Sequence, residues 1–178
     1  MRSTRSAGYR PLDASELNEI TLPNPFVGSL NRKTGMAFPQ TEKVTIATPK
    51  VQIPHTRVAD RITPHDLFRA HPAGTPVAYG VYDQGDKAEI VIDTNRPRLP
   101  SLLLVGDSYA NAIETLAWTG FDQSRYLDLR HYTKMSLYEY VATYRPDDVV
   151  ILVRDERYLY RYGNGLFSGS SAGGGTDE

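Results

Sequence analysis

The apolar positions of this chain follow two rhythms, and the change falls near residue 100. Leu102–Val105 is an unbroken apolar run closed by Gly106, the pattern of a strand buried on both faces. A tight bend, Gly106-Asp107-Ser108, leads to Asn111, which opens the amphipathic helical run Ala112–Trp118. Tyr126–Leu129 then reads as a short strand and Ser136–Tyr144 as a helix capped by Ser136. Val149–Val153 is an apolar, β-branched strand entered through the turn Pro146-Asp147-Asp148. Strand and helix alternating over about residues 101–154 predict a right-handed parallel βαβαβ unit of the α/β class.

The first half is β-rich and less regular. Residues 1–25 are polar and proline-punctuated, with one short helix predicted over Asp13–Glu19. Asp13 would cap it, and Glu16 stands where a capping box needs it. Lys43–Ile53 alternates as one or two strands split by Pro49, and Pro64–Ala70 reads as a short helix capped by Thr63. Val77–Tyr82 and Ala88–Asp93, separated by Asp83-Gln84-Gly85-Asp86, predict a hairpin. Asn95–Pro100 connects into the central strand. Residues 26–160 are thus one domain, and the Gly/Ser-rich residues 161–178 are expected to be a disordered tail.

Composition narrows the function classes. A chain of 178 residues carries one real core. The net charge of -1 gives no basic face for nucleic acid. With no cysteine there is no disulfide framework, no thiolate nucleophile and no Cys-based metal site; no cofactor and no metal are expected. Met1–Arg10 has arginines but no apolar core behind them, so no signal peptide or membrane span is read, and the chain is expected in the cytoplasm as written.

The serine bend carries the chemistry. Ser108 falls at the carboxyl end of a strand and near the start of a helix, the edge at which open α/β sheets bind ligands. Two readings compete: a nucleophilic serine, or an ordinary turn with an Asp or Ser helix cap. Gly106 permits a close approach, and Asp107 is read as a structural turn residue. Asn111 either donates to an oxyanion or fixes the turn. A serine hydroxyl needs a base. Of His55, His65, His71 and His131, the first three are expected at the surface. His131 follows a strand that ends on the same sheet edge as Ser108, with Asp128 as its possible orienter. Arg130 reads as a positioning cation or as the ion-pair partner of Asp128.

The Gly-Asp-Ser block at 106–108 resembles that of the SGNH (GDSL-type) esterases and acetyltransferases. Tyr126–Tyr132 (Tyr-Leu-Asp-Leu-Arg-His-Tyr) and Phe26–Gly35 (Phe-Val-Gly-Ser-Leu-Asn-Arg-Lys-Thr-Gly) resemble the DHHW family, related to the SGNH-like proteins that acetylate alginate outside the cell. The resemblance runs from near Tyr9 to near Tyr160 and matches only the carboxyl-terminal portion of a family member. It implies a flavodoxin-like SGNH sheet, incomplete here, with a short β-rich segment before it. It also places Gly28 or Ser29 at the active-site rim, and Asp128-x-x-His131 fits the aspartate–histidine spacing of SGNH enzymes. The family's own Asp-His pair precedes its serine block, and neither Asp-His-His-Trp nor Asp-x-His occurs in this chain.

The resemblance implies an extracytoplasmic polysaccharide O-acetyltransferase or acetylesterase, truncated or degenerate, with Ser108 as nucleophile and weak or no activity. Its partners would be an acetylated carbohydrate or acyl donor and a membrane-bound O-acyltransferase. A non-catalytic carbohydrate-binding remnant is the second reading. A flavodoxin-like domain holding a phosphate at its serine turn comes last, because the glycine-rich loop and lysine of a P-loop are lacking. A sheet missing half its strands also leaves an apolar edge that favours a homodimer.

Overall fold

The strand that carries the serine bend is buried along its whole length. In the computed structural model, which describes residues 12–39, 41–59, 71–82 and 85–154, this is β5 (Leu102–Gly106). Leu102 and Leu104 enter one core cluster with Ile90, Ile92, Trp118 and Tyr126. Leu103 and Val105 enter another with Leu127, Tyr132, Leu137 and Tyr140. An unbroken apolar run is what such a strand requires, since alternate side chains point to opposite faces. Each fully buried leucine contributes about 1.5–3 kcal/mol relative to exposure.

α2 (Asn111–Ala117) follows β5 and continues as a 3-10 turn over Trp118–Gly120. β6 (Gln123–Leu127), α3 (Leu137–Tyr144) and β7 (Asp148–Leu152) complete the alternation. β5 pairs in parallel with β6 on one side and β7 on the other. The chain therefore reverses its direction of progress across the sheet between β5 and β7. α3 begins with Ser136 as the expected cap, and the cap is a full capping box: its hydroxyl accepts from the Glu139 N–H, and Glu139 accepts from the Ser136 N–H. The helix ends at Arg145, whose left-handed backbone (φ 47°) forms the C-cap.

The β-rich half departs from expectation. β3 (Thr56–Ala59) and β4 (Glu89–Asp93) extend the same sheet in antiparallel fashion, in the order β3-β4-β6-β5-β7. The sheet is thus mixed. The hairpin predicted between Val77–Tyr82 and Ala88–Asp93 does not form, because β4 pairs with β3 and β6. Val77 instead bridges Phe26, and Tyr79–Val81 is a 3-10 turn. The helix predicted over Asp13–Glu19 is a single 3-10 turn, Ala14–Glu16, with the expected Asp13–Glu16 capping box. It runs directly into β1 (Leu17–Pro25), which pairs antiparallel with β2 (Lys43–Pro49) as a separate two-stranded sheet. Between them lies α1 (Ser29–Lys33). Val44, Ile46, Val77, Val81 and Tyr82 pack this sheet against Ala112 of α2.

The helix predicted over Pro64–Ala70 and the tail 161–178 lie outside the described residues. Among the described residues, no helix is long and apolar enough to cross a membrane.

Candidate functional site

Close packing sets the serine bend. A Cβ on Gly106 would stand 2.5 Å from the Ala110 Cβ, so only glycine lets α2 begin this near to β5. Asp107 is 3 % exposed. Its carboxylate accepts the N–H of Tyr109 at 2.9 Å and the N–H of Arg154, just past β7, at 3.2 Å. These bonds commit Asp107 to holding the turn, and Ser108 is left half-buried at the mouth of the β5–β7 reversal. Ligands bind at such switch points in α/β sheets because the flanking loops diverge there.

A cleft of about 720 Å³ opens at this point. Ser108, Asn111 and Gly28 all line it, as do Asp86 and Arg154. Gly28 is brought in from the far half of the chain by backbone bonds: Val27 donates to the Val77 carbonyl at 2.7 Å, and Val77 donates to the Pro25 carbonyl at 2.9 Å. Arg32 and Lys33 of α1 add positive charge to one wall, and Tyr79 and Tyr109 supply exposed aromatic rings. A serine hydroxyl, glycine and asparagine N–H donors and flanking cations can together bind a carbonyl oxygen and orient a polar acceptor.

Asn111 is 4 % exposed, and its Nδ2 donates to Asp86 Oδ1 at 3.0 Å. The second Asp86 oxygen accepts from Arg130 at 2.6 Å. Arg130 also donates through Nε to both oxygens of Asp128, at 2.9 and 3.0 Å. The hydrogen bond with Asp128 raises the Arg130 guanidinium above its ordinary pKa against the opposing effect of burial. Of the two roles open to Arg130, ion pairing with Asp128 is therefore the one the geometry shows. Neither Arg130 nor Asp128 lines the cleft.

His131 is half-exposed, and its Nε2 lies 3.9 Å from Asp128. It does not line the cleft, and among the described residues no histidine does. Asp86, Asp128 and His131 bring ligand-type atoms within 4.8 Å of one another, but the Arg130 guanidinium is bonded to both carboxylates and stands where a cation would. His55, expected at the surface, is part-buried with its ring 4.2 Å from that of Trp118, and its Nδ1 meets the Ile53 carbonyl at 2.9 Å. His71 is likewise not a free surface residue, since its Nε2 is buried. His65 lies outside the described residues.

Asp86 and Arg154 were not singled out from the sequence. Arg154 carried a usable signal as the first charged residue after a parallel strand, at the edge where sites form. Asp86 carried none, because it looked like a hairpin-turn residue.

A mixed α/β sheet with a serine bend at its reversal point defines the class of fold. That fold is shared with solved structures of two proteins. One is a DHHW family protein from Eubacterium siraeum, with a TM-score of 0.70 and 20 % identity, covering 90 % of this chain and 56 % of that one. The other is Bacillus cereus PatB1. Its structure with a sulfonyl adduct gives a TM-score of 0.68 and 23 % identity, covering 82 % of this chain and 49 % of that one. A second PatB1 structure gives 0.64 and 24 %, covering 82 % and 51 %. The chain spans about half the length of these proteins. No protein-family model and no curated protein matches it.

Proposed function

We propose that this chain is the serine-bearing part of an SGNH-like acyl-handling protein with a flavodoxin-like parallel unit, acting on O-acyl groups of a carbohydrate. The observation that carries this reading is the convergence of Ser108, Gly28 and Asn111 on one cleft at the β5–β7 reversal. Ser108 Oγ attacks the acyl carbonyl, and its proton passes to a base. The carbonyl oxygen, now an oxyanion, is met by N–H donors at Ser108, Gly28 and Asn111. Collapse expels the donor alcohol, which takes the proton, and leaves the acyl group on Ser108. A carbohydrate hydroxyl or water then removes it.

The adduct on PatB1 supports the reading, because sulfonyl reagents form adducts with nucleophilic side chains. The base is assigned outside the described residues, since none of their histidines lines the cleft. A histidine from a second copy of this chain, brought in across a dimer, fits that requirement. By family resemblance, a membrane-bound O-acyltransferase is the partner that delivers acyl groups. The second reading is a carbohydrate-binding remnant without turnover, in which the exposed Tyr79 and Tyr109 rings of the cleft meet a sugar face.

Labelling by a fluorophosphonate probe separates the two. Folded protein is expected to label, Ser108→Ala to abolish the signal, and His131→Ala to leave it within about threefold. No labelling above the Ser108→Ala control overturns the nucleophile and leaves the binding reading.

A further inference from the structure

Asn111 is held by a carboxylate that is itself held from behind. Asp86 accepts the Asn111 amide N–H at 3.0 Å on one oxygen and the Arg130 guanidinium at 2.6 Å on the other. A carboxylate offers only acceptors, so the amide must turn its NH2 toward Asp86 and cannot present it the other way round. One Asn111 N–H is thereby committed, and the second has no partner among the described residues. Arg130 is fixed in turn by three guanidinium bonds to Asp128, which is 7 % exposed. The chain Asp128–Arg130–Asp86–Asn111 runs from the residue after β6 to the cleft wall, and its last two members share that cleft with Ser108.

We propose that Asp86 is a positioning residue for the acyl-transfer site. It locks the Asn111 amide so that its free N–H is aimed at the oxyanion formed on the Ser108 adduct, and Arg130 locks Asp86. The inference rests on Ser108 being the nucleophile. Nothing in the sequence links these residues: Asp86 and Asn111 are 25 positions apart, and Asp86 and Arg130 are 44 apart. A preorganised donor is what makes an oxyanion pocket effective, because no reorganisation is then needed during reaction. A donor left free to swing loses much of that advantage. Misplacing catalytic geometry by about 1 Å costs up to about 100-fold.

The fluorophosphonate adduct places a P=O oxygen where the oxyanion would sit, so its rate of formation reads the pocket. Asp86→Ala is expected to slow labelling about tenfold or more with the unfolding midpoint little changed. Asp86→Asn, which keeps an acceptor for Asn111, is expected to recover most of the rate. Asn111→Ala slows labelling as well, and Asp86→Ala added to it brings no further loss, because Asp86 acts only through Asn111. Equal slowing by Asp86→Ala with and without Asn111 would overturn the inference, as would an unchanged rate in either single variant. Should Asp86→Ala fail to fold, the comparison of Asp86→Asn with Asp86→Leu decides: equal rates sink the proposal. Failure of the wild-type chain to label contradicts the nucleophile itself, a separate outcome from wild-type labelling that ignores Asp86.

Discussion

The Asp107 carboxylate accepts the backbone N–H of Arg154 at 3.2 Å, joining the bend after β5 to the end of β7. The carboxylate next to Ser108 therefore serves the architecture of the site. It keeps the two loops of the reversal point at a fixed separation, and the cleft lies between them.

Asp107→Ala leaves the N–H groups of Tyr109 and Arg154 without this acceptor. An unsatisfied buried donor costs about 1–3 kcal/mol, so a loss of about 2–3 kcal/mol is expected in urea unfolding. Asp107→Asn keeps one carbonyl oxygen and is expected to lose about half as much.

Gly106 meets Ala110 too closely for any side chain. Overpacking of this kind costs about 1–3 kcal/mol, and Gly106→Ala is expected to fall in that range. Adding Ala110→Gly removes the atom it strikes and is expected to restore part of the loss. Strictly additive losses in thermal melts would show that the contact is not the cause.

Two groups give the stability profile opposite pH limbs. Asp147 is held below its ordinary pKa of 3.8 by the Ser101 N–H first and the Ser101 hydroxyl second. Its contribution is present above the unfolded-state value and lost as pH falls through the lowered folded value. Solvent exposure limits it to about 0.5 kcal/mol. Tyr140 is raised above 10.0, by burial first and then by donating to Glu89 at 2.5 Å. Its contribution is full below the unfolded value and is lost as pH rises above that toward the folded one. Unfolding midpoints measured across pH are expected to flatten on the acid side in Asp147→Asn and on the alkaline side in Tyr140→Phe.

β7 is an edge strand among the described residues, paired only with β5. Val149, Val150 and Ile151 are 46, 43 and 40 % exposed. Such an edge pairs readily with another chain, and β4 covers the opposite edge of the parallel unit. Sedimentation is expected to show concentration-dependent self-association that Val150→Lys weakens. A monomer at all concentrations contradicts this.

What was legible in the sequence was local. β5 announced itself because both its faces are buried, and α3 because Ser136 stands as a cap at its start. β1 was invisible: only Asn24 of its nine residues is buried, and two prolines interrupt it. Its strand state depends on β2, which follows only after α1. The failed hairpin has the same origin, since the alternation in Val77–Tyr82 reflects packing against Phe26 and β2 rather than a neighbouring strand. At the site, Ser108, Asn111 and Gly28 stood in recognisable motifs. Asp86 acquires meaning only when the fold carries it to Asn111.

The ends of β7 are both tied to β5 by carboxylates. Asp147 bonds Ser101 where the two strands start, and Asp107 bonds Arg154 where they finish. An edge strand with one neighbour would ordinarily fray from a tip, exchanging its amide hydrogens residue by residue. With both tips fastened, β7 has to open as a unit or stay closed. Its amides should then exchange at one common rate, with local opening coupled to loss of the bend that carries Ser108.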